Sequence, residues 1–129
     1  MFTLNVVLPS GLYLTESVDS ITLPTIDGQR TLLPNHMATV LPIETGVMYL
    51  KHQGQITHYY VSQGAFTFED NTGTLMAQVV ENEADIDFNR AQRAKERAQE
   101  RLDDYEHTID MVRAEAALKR ALMRLRLKD

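Results

Sequence analysis

The chain contains no cysteine, which excludes disulfides and thiolate metal sites. Glycine and proline run out early: all six Gly and all four Pro lie at or before Gly73. Long apolar runs are missing too. No stretch approaches the roughly 20 apolar residues that cross a bilayer. The opening residues MFTLNVVLPSGLYL have neither a basic n-region nor a long apolar core, so they do not read as a signal peptide. These absences point to a soluble chain, or one held at a membrane only through a partner. Basic residues are scarce in the first part: positions 1–80 carry two (Arg30 and Lys51) against six acidic ones. Positions 81–129 carry eleven basic and twelve acidic residues. The formal net charge of −5 argues against tight nonspecific nucleic-acid binding. With 129 residues there is room for one ordinary domain, or one small domain with an appendage.

A turn-rich, charge-poor body followed by a charge-dense tail without Gly or Pro marks a domain boundary. It falls near 80–84, giving a body of residues 1–84 and an arm of residues 85–129.

The body reads as short strands. Residues 3–8 are apolar at nearly every position, and 18–23, 47–50, 56–62, 66–68 and 74–80 are further strand candidates. Between them lie Pro9-Ser10-Gly11, Asp27-Gly28, Gln53-Gly54 and Asn71-Thr72-Gly73. Gly admits positive φ and Asn and Asp tolerate it, so these are turn signals. The spacing suggests a sandwich or a barrel. The segment 32–42 does not alternate, and Pro34-Asn35-His36 reads as a loop whose polar side chains bond backbone groups.

Catalytic constellations are missing. His36, His52, His58 and His107 have no ligand-like spacing. Ser10, Ser17, Ser20 and Ser62 lack a nucleophile elbow. There is no Gly-rich phosphate loop, and the carboxylates of the body are scattered singly.

The arm says nearly the same thing twice. Ile86-Asp87-Phe88-Asn89-Arg90-Ala91 is echoed by Ile109-Asp110-Met111-Val112-Arg113-Ala114. Laid over each other, 86–102 and 109–125 agree at 9 of 17 positions. The shared Ala, Arg and Leu positions recur every three or four residues, a helical period. Two equivalent helices with a short link, read at 103–107, predict an antiparallel hairpin. Helix one should start at 85–87 with an Asp near its N-cap, and helix two at Thr108. On helix one, Ala91, Ala94, Ala98, Leu102 and Tyr105 share a face. On helix two, Met111, Leu118, Leu122 and Leu125 form an apolar stripe flanked by Ala114 and Ala121. Arg113, Lys119, Arg120, Arg124 and Lys128 form a basic stripe roughly opposite, which is either a solvated face or a docking face for an acidic partner. The apolar stripe is narrow, so such a hairpin could lie on the body or open onto a partner. Either state buries the same stripe, the physical basis of a switch.

The order of these pieces resembles the epsilon subunit family of the bacterial F-type ATP synthase. The marks are Asp27-Gly28, Leu33-Pro34-Asn35-His36, Gly46-Val47 and Val61-Ser62-Gln63-Gly64. Asp85-Ile86-Asp87-Phe88-Asn89-Arg90-Ala91 and Ala117-Leu118-Lys119-Arg120-Ala121-Leu122-Met123-Arg124-Leu125 complete the set. The resemblance implies a β-sandwich followed by a two-helix C-terminal domain, in a non-catalytic subunit of the rotating central stalk. It implies contacts of the sandwich with the gamma subunit and the c-ring. It also implies an arm that extends to the alpha and beta subunits and inhibits ATP hydrolysis, all as a peripheral part of a complex on the cytoplasmic face of the bacterial plasma membrane. The basic stripe fits a family contact with acidic beta-subunit segments.

Some members bind ATP as a regulatory ligand through an I-D-x-x-R-A motif, matched here by Ile86, Asp87, Arg90 and Ala91. Glu81, Arg97, Arg120 and Arg124 stand at further positions resembling the family's nucleotide contacts. Asp87 could equally be a plain cap and Arg90 a surface residue. Arg30-Thr31, Gln63 and Ala65 depart from the family pattern, which bears on local turns and the stalk contact. The alternative to a rotor subunit is a free-standing interaction module, a sandwich with a helical docking arm.

Overall fold

The structure is a computed structural model that describes residues 1–102 and 108–128, with side chains for all of these except 108–111. The expected link at 103–107, the Thr108 cap, and the side chains of Tyr105, Asp110 and Met111 lie outside the described residues.

Ten strands build two five-stranded sheets. They are β1 (Phe2–Leu8), β2 (Gly11–Val18), β3 (Ser20–Thr25), β4 (Gly28–Leu32), β5 (Thr39–Ile43), β6 (Gly46–His52), β7 (Gln55–Val61), β8 (Gly64–Glu69), β9 (Thr72–Ala77) and β10 (Val80–Asn82). One sheet has the order β2-β1-β9-β8-β5 and the other β10-β7-β6-β3-β4. Neighbours are antiparallel except β1 and β9, which run parallel. The body is therefore a sandwich, and of the two expectations the barrel falls away.

Alternation drives the packing. Phe2, Leu4 and Val6 of β1 point inward, as do Leu75 and Ala77 of β9, and meet Ile21, Leu23, Met48 and Val61 of the other sheet. Each large apolar side chain buried this way stabilises the fold by about 1.5–3 kcal/mol before entropy is subtracted. The Gln53-Gly54 turn takes positive φ at both residues (50° and 81°), the twist a two-residue hairpin needs. At the β8–β9 turn, Asp70 and Asn71 carry the positive φ; Thr72 and Gly73 already belong to β9, so the turn lies one residue earlier than the sequence suggests.

Two apolar runs read as single strands are each divided. The run 18–23 breaks at Asp19, whose Oδ2 accepts from Gln53 N at 2.9 Å and whose N donates to the Lys51 carbonyl at 2.7 Å. The run 74–80 breaks before β10, where Val79 N donates to Ser62 Oγ at 2.9 Å. Those side bonds let the chain pass from one sheet to the other. The loop after β4 is as expected in kind: Asn35 takes φ 63° and His36 Nδ1 lies 2.8 Å from the Met37 carbonyl.

After β10 a 3-10 turn (Glu83–Asp85) leads into α1 (Phe88–Leu102), followed by α2 (Thr108–Leu125) and a closing 3-10 turn (Arg126–Lys128). The two helices pack on each other through small residues. Ala91 and Ala98 of α1 and Ala114 and Ala121 of α2 are buried, so the axes can approach closely. The leucine stripe expected on α2 is less buried than the alanines beside it. Leu122 is 37% exposed and Leu118 and Leu125 are only part-buried. The alanines taken as its flanks are the fully buried positions.

The arm lies on the outer face of the second sheet. Val47 and Tyr60 of the sandwich form a separate apolar cluster with Ile86 and Leu127, edged by Tyr49, Phe88 and Met123. That cover explains why β6 and β7 bury successive residues, Gly46–Val47–Met48 and Tyr59–Tyr60–Val61, instead of alternating.

Candidate functional site

The sequence-selected arginines converge. A cavity of about 380 Å³ opens between the helices and the sandwich, lined by Arg90, Arg97, Arg120 and Arg124 with Glu81, Asp85 and Asp87. Ala91, Ala94, Ala117 and Ala121 form the rest of its wall. Its volume falls within the roughly 300–1,000 Å³ typical of ligand clefts. Helical spacing makes this possible. Positions 90, 94 and 97 share one face of α1, and 117, 120/121 and 124 share one face of α2. Each face alternates arginine with alanine, so the guanidinium groups stand where the alanines leave room. Four guanidinium groups against three carboxylates leave the lining formally positive.

Arg124 is the best-fixed of the four. Its Nη2 and Nε donate to Glu81 Oε1 at 2.6 and 3.0 Å, and its Cζ lies 4.2 Å over the Tyr60 ring. Glu81 and Tyr60 are register partners across β10 and β7, so both side chains rise from the same face of the sheet beneath α2. Burial pushes the Tyr60 phenol above its ordinary pKa, against the pull of Arg124 and Arg120. Its Oη is buried without a hydrogen-bond partner among the described residues.

Asp87 is the N-cap of α1: its Oδ1 accepts from Arg90 N at 2.9 Å and its carbonyl from Ala91 N at 3.0 Å. It lines the cavity as well, so cap and lining coincide in one side chain. Ile86 does not line it. It sits 7% exposed in the cluster with Val47, Tyr60 and Leu127, where it ties the start of the arm to the sandwich. Asp85, Ala94, Ala117, Ala121 and Tyr60 are not among the site residues expected from sequence. The alanines had a signal, their place between arginines at helical spacing; Tyr60 had none.

The basic stripe is divided in the fold. Arg120 and Arg124 turn to the cavity. Lys119 Nζ lies 3.6 Å from Glu44 Oε2 at the end of the sandwich. Arg113 and Lys128 are exposed. On the other flank of the arm, His58 Nδ1 lies 3.0 Å from Glu83 Oε2, beside the turn that leads into α1. Among the described residues no group of three or more His, Asp or Glu is placed to hold a metal ion, and no helix is long and apolar enough to cross a membrane.

Comparison with known proteins covers the whole chain. Residues 1–83 match the family "ATP synthase, Delta/Epsilon chain, beta-sandwich domain". Residues 84–129 match "ATP synthase, Delta/Epsilon chain, long alpha-helix domain". The ATP synthase epsilon chain of Nitratidesulfovibrio vulgaris is 38% identical over 125 residues, 97% of this chain and 93% of that one. The epsilon chain of Desulfitobacterium hafniense is 40% identical over 124 residues, covering 96% and 93% of the two chains. Among solved structures, a chain of the Euglena gracilis mitochondrial ATP synthase (OSCP/F1/c-ring) has the same fold with a TM-score of 0.81. It is 22% identical, over 90% of this chain and 74% of that chain.

Proposed function

The chain belongs to the ATP synthase delta/epsilon family, and from that premise we propose that it is a non-catalytic regulatory subunit of the enzyme's central stalk, with an arm that senses ATP. Residues 1–84 seat the subunit on the gamma subunit and the c-ring, peripheral to the membrane at its cytoplasmic face. Residues 85–129 are the regulatory arm. Compact, the arm lies on the sandwich. Extended, it reaches the alpha and beta subunits, where Arg113, Lys119, Arg120, Arg124 and Lys128 meet acidic segments and ATP hydrolysis is inhibited.

One observation carries the regulatory part: arginines from both helices line a single cleft. Four guanidinium groups brought together repel one another and weaken the closed hairpin. A bound triphosphate supplies the opposite charge. Arg90 and Arg97 from α1, and Arg120 and Arg124 from α2, can then share its oxygens through paired N–H donors, which the planar guanidinium suits. Glu81 and Asp87 bring acceptors to the rim, and Ala91 keeps the wall low. Ile86 acts from beneath, by anchoring the helix start. Because the cleft exists only when the helices are paired and docked, ligand binding favours the compact arm by mass action.

Calorimetry of the full chain with ATP tests this. Binding is expected, and Arg90→Ala and Arg124→Ala should each weaken it by about 10- to 100-fold, the worth of a charge-assisted hydrogen bond. No heat at millimolar ATP would end the ligand reading. Deleting residues 85–129 should raise ATP hydrolysis by the assembled complex; unchanged hydrolysis would remove the inhibitory role. A tagged chain that retrieves no gamma subunit from its own cell would remove the stalk role and favour a free-standing module.

A further inference from the structure

We propose that Tyr60 is a positioning residue: its ring seats the Arg124 guanidinium, and this cation–π contact, together with the Glu81 pair, latches α2 onto the sandwich. The latch needs no nucleotide, so it stands or falls apart from the ATP reading.

The geometry assigns Tyr60 this part. It lies on β7, fully buried, on the outer face of its sheet, and its ring is covered by Arg124 at 4.2 Å. Its cross-strand partner Glu81 takes two N–H groups of the same guanidinium. One face of Arg124 is thus fixed by an aromatic ring and one edge by a carboxylate. Of the five N–H donors in a guanidinium, Glu81 uses two, so the same arginine can serve the latch and line the cavity. The apolar part of the docking surface is small, centred on Val47, Tyr60, Ile86 and Leu127, and a second α2 ion pair, Lys119–Glu44, is longer and more exposed. A part-desolvated cation over an aromatic face is the stronger kind of such contact. Among the described residues Oη has no hydrogen-bond partner, so the ring, not the hydroxyl, is assigned this work.

Val47→Cys provides the readout. The chain has no cysteine of its own, and Val47 is covered by the arm, so thiol modification reports how often the arm lifts. The experiment uses the full chain without nucleotide. On this background Tyr60→Phe should leave the modification rate unchanged. Tyr60→Leu should raise it about twofold to thirtyfold, the range for a cation–π contact between exposed and desolvated limits. Arg124→Met should raise it by a similar or larger factor, and the double variant should fall well short of the product of the two. A Tyr60→Leu rate equal to wild type, a Tyr60→Phe rate as high as Tyr60→Leu, or factors that simply multiply would each overturn the proposal. Should Tyr60→Leu unfold the sandwich, Arg124→Met still decides. It leaves the sheet intact, and a rate no higher than wild type in that variant overturns the latch.

Discussion

Tyr60 and Glu81 stand opposite each other across the β7–β10 pairing and grip one guanidinium, that of Arg124, from below and from the side. The edge of the sandwich is thereby joined to the second helix of the arm at a point that also borders the cavity. The same side chain connects body, arm and candidate site, so changes at any of the three should be felt at the others.

The cap of α1 should separate into two roles. Asp87→Ala removes the acceptor for Arg90 N and should cost the arm about 1 kcal/mol, read as lost helical ellipticity. Asp87→Asn keeps a capping oxygen without the charge and should restore most of that helicity. If ATP affinity falls equally in both variants, the carboxylate serves the cavity as well as the helix.

Widening the seam should split the hairpin. Ala98 and Ala114 are 2% and 0% exposed, so a larger side chain has to press on its packed neighbours. Ala98→Leu or Ala114→Leu should destabilise the arm by about 1–3 kcal/mol, the cost of overpacking, while the sandwich's urea midpoint stays put. A shared shift of both transitions would mean that arm and body unfold as one unit.

Gly64 should be irreplaceable in the sandwich. It opens β8 opposite Ala77, and a Cβ there would run into the Met76 carbonyl oxygen of β9, with the Ala77 Cα 3.0 Å away. The obstacle is backbone and cannot rotate aside. Gly64→Ala should cost about 3 kcal/mol, the upper part of the overpacking range, and chemical denaturation would measure it.

Stability should fall in alkali through the buried phenols. Burial raises Tyr60 and Tyr59 above the ordinary value of 10.0, Tyr59 with added help from the nearby Glu16 charge. A phenol whose pKa rises on folding holds its proton more tightly in the folded chain. Its contribution is complete below pH 10 and is lost as pH climbs through the raised value. Urea midpoints should therefore drop above about pH 10, and less steeply in Tyr60→Phe. Equal slopes in the two proteins would contradict the shift.

The sequence was most informative where one periodicity served one environment. The two helices were legible because repeated Ala and Arg positions at helical spacing are local signals. Most inner strands showed as apolar runs bounded by turn residues. β2, β4 and β5 did not. Each is a sheet edge, and β4, Gly28–Leu32, is exposed at all but its last residue, so no inward pattern is imposed on it. Tyr59, Tyr60 and Val61 are buried in succession, and nothing in the local sequence says what covers Tyr60. Of the candidate site, the arginines could be placed on helix faces by counting. Their convergence depends on how α1 and α2 pack, and the Tyr60–Arg124 contact on a strand pairing remote in sequence; neither is written locally.

The parallel neighbour of β1 has a consequence for how the chain is made. Phe2–Leu8 can pair with β2 as soon as both emerge from the ribosome, but its other edge must wait for Thr72–Ala77, half the 129-residue polypeptide later. Closure of the sandwich is therefore a late, long-range event. The two helices come last in the chain, after every strand of the surface they cover.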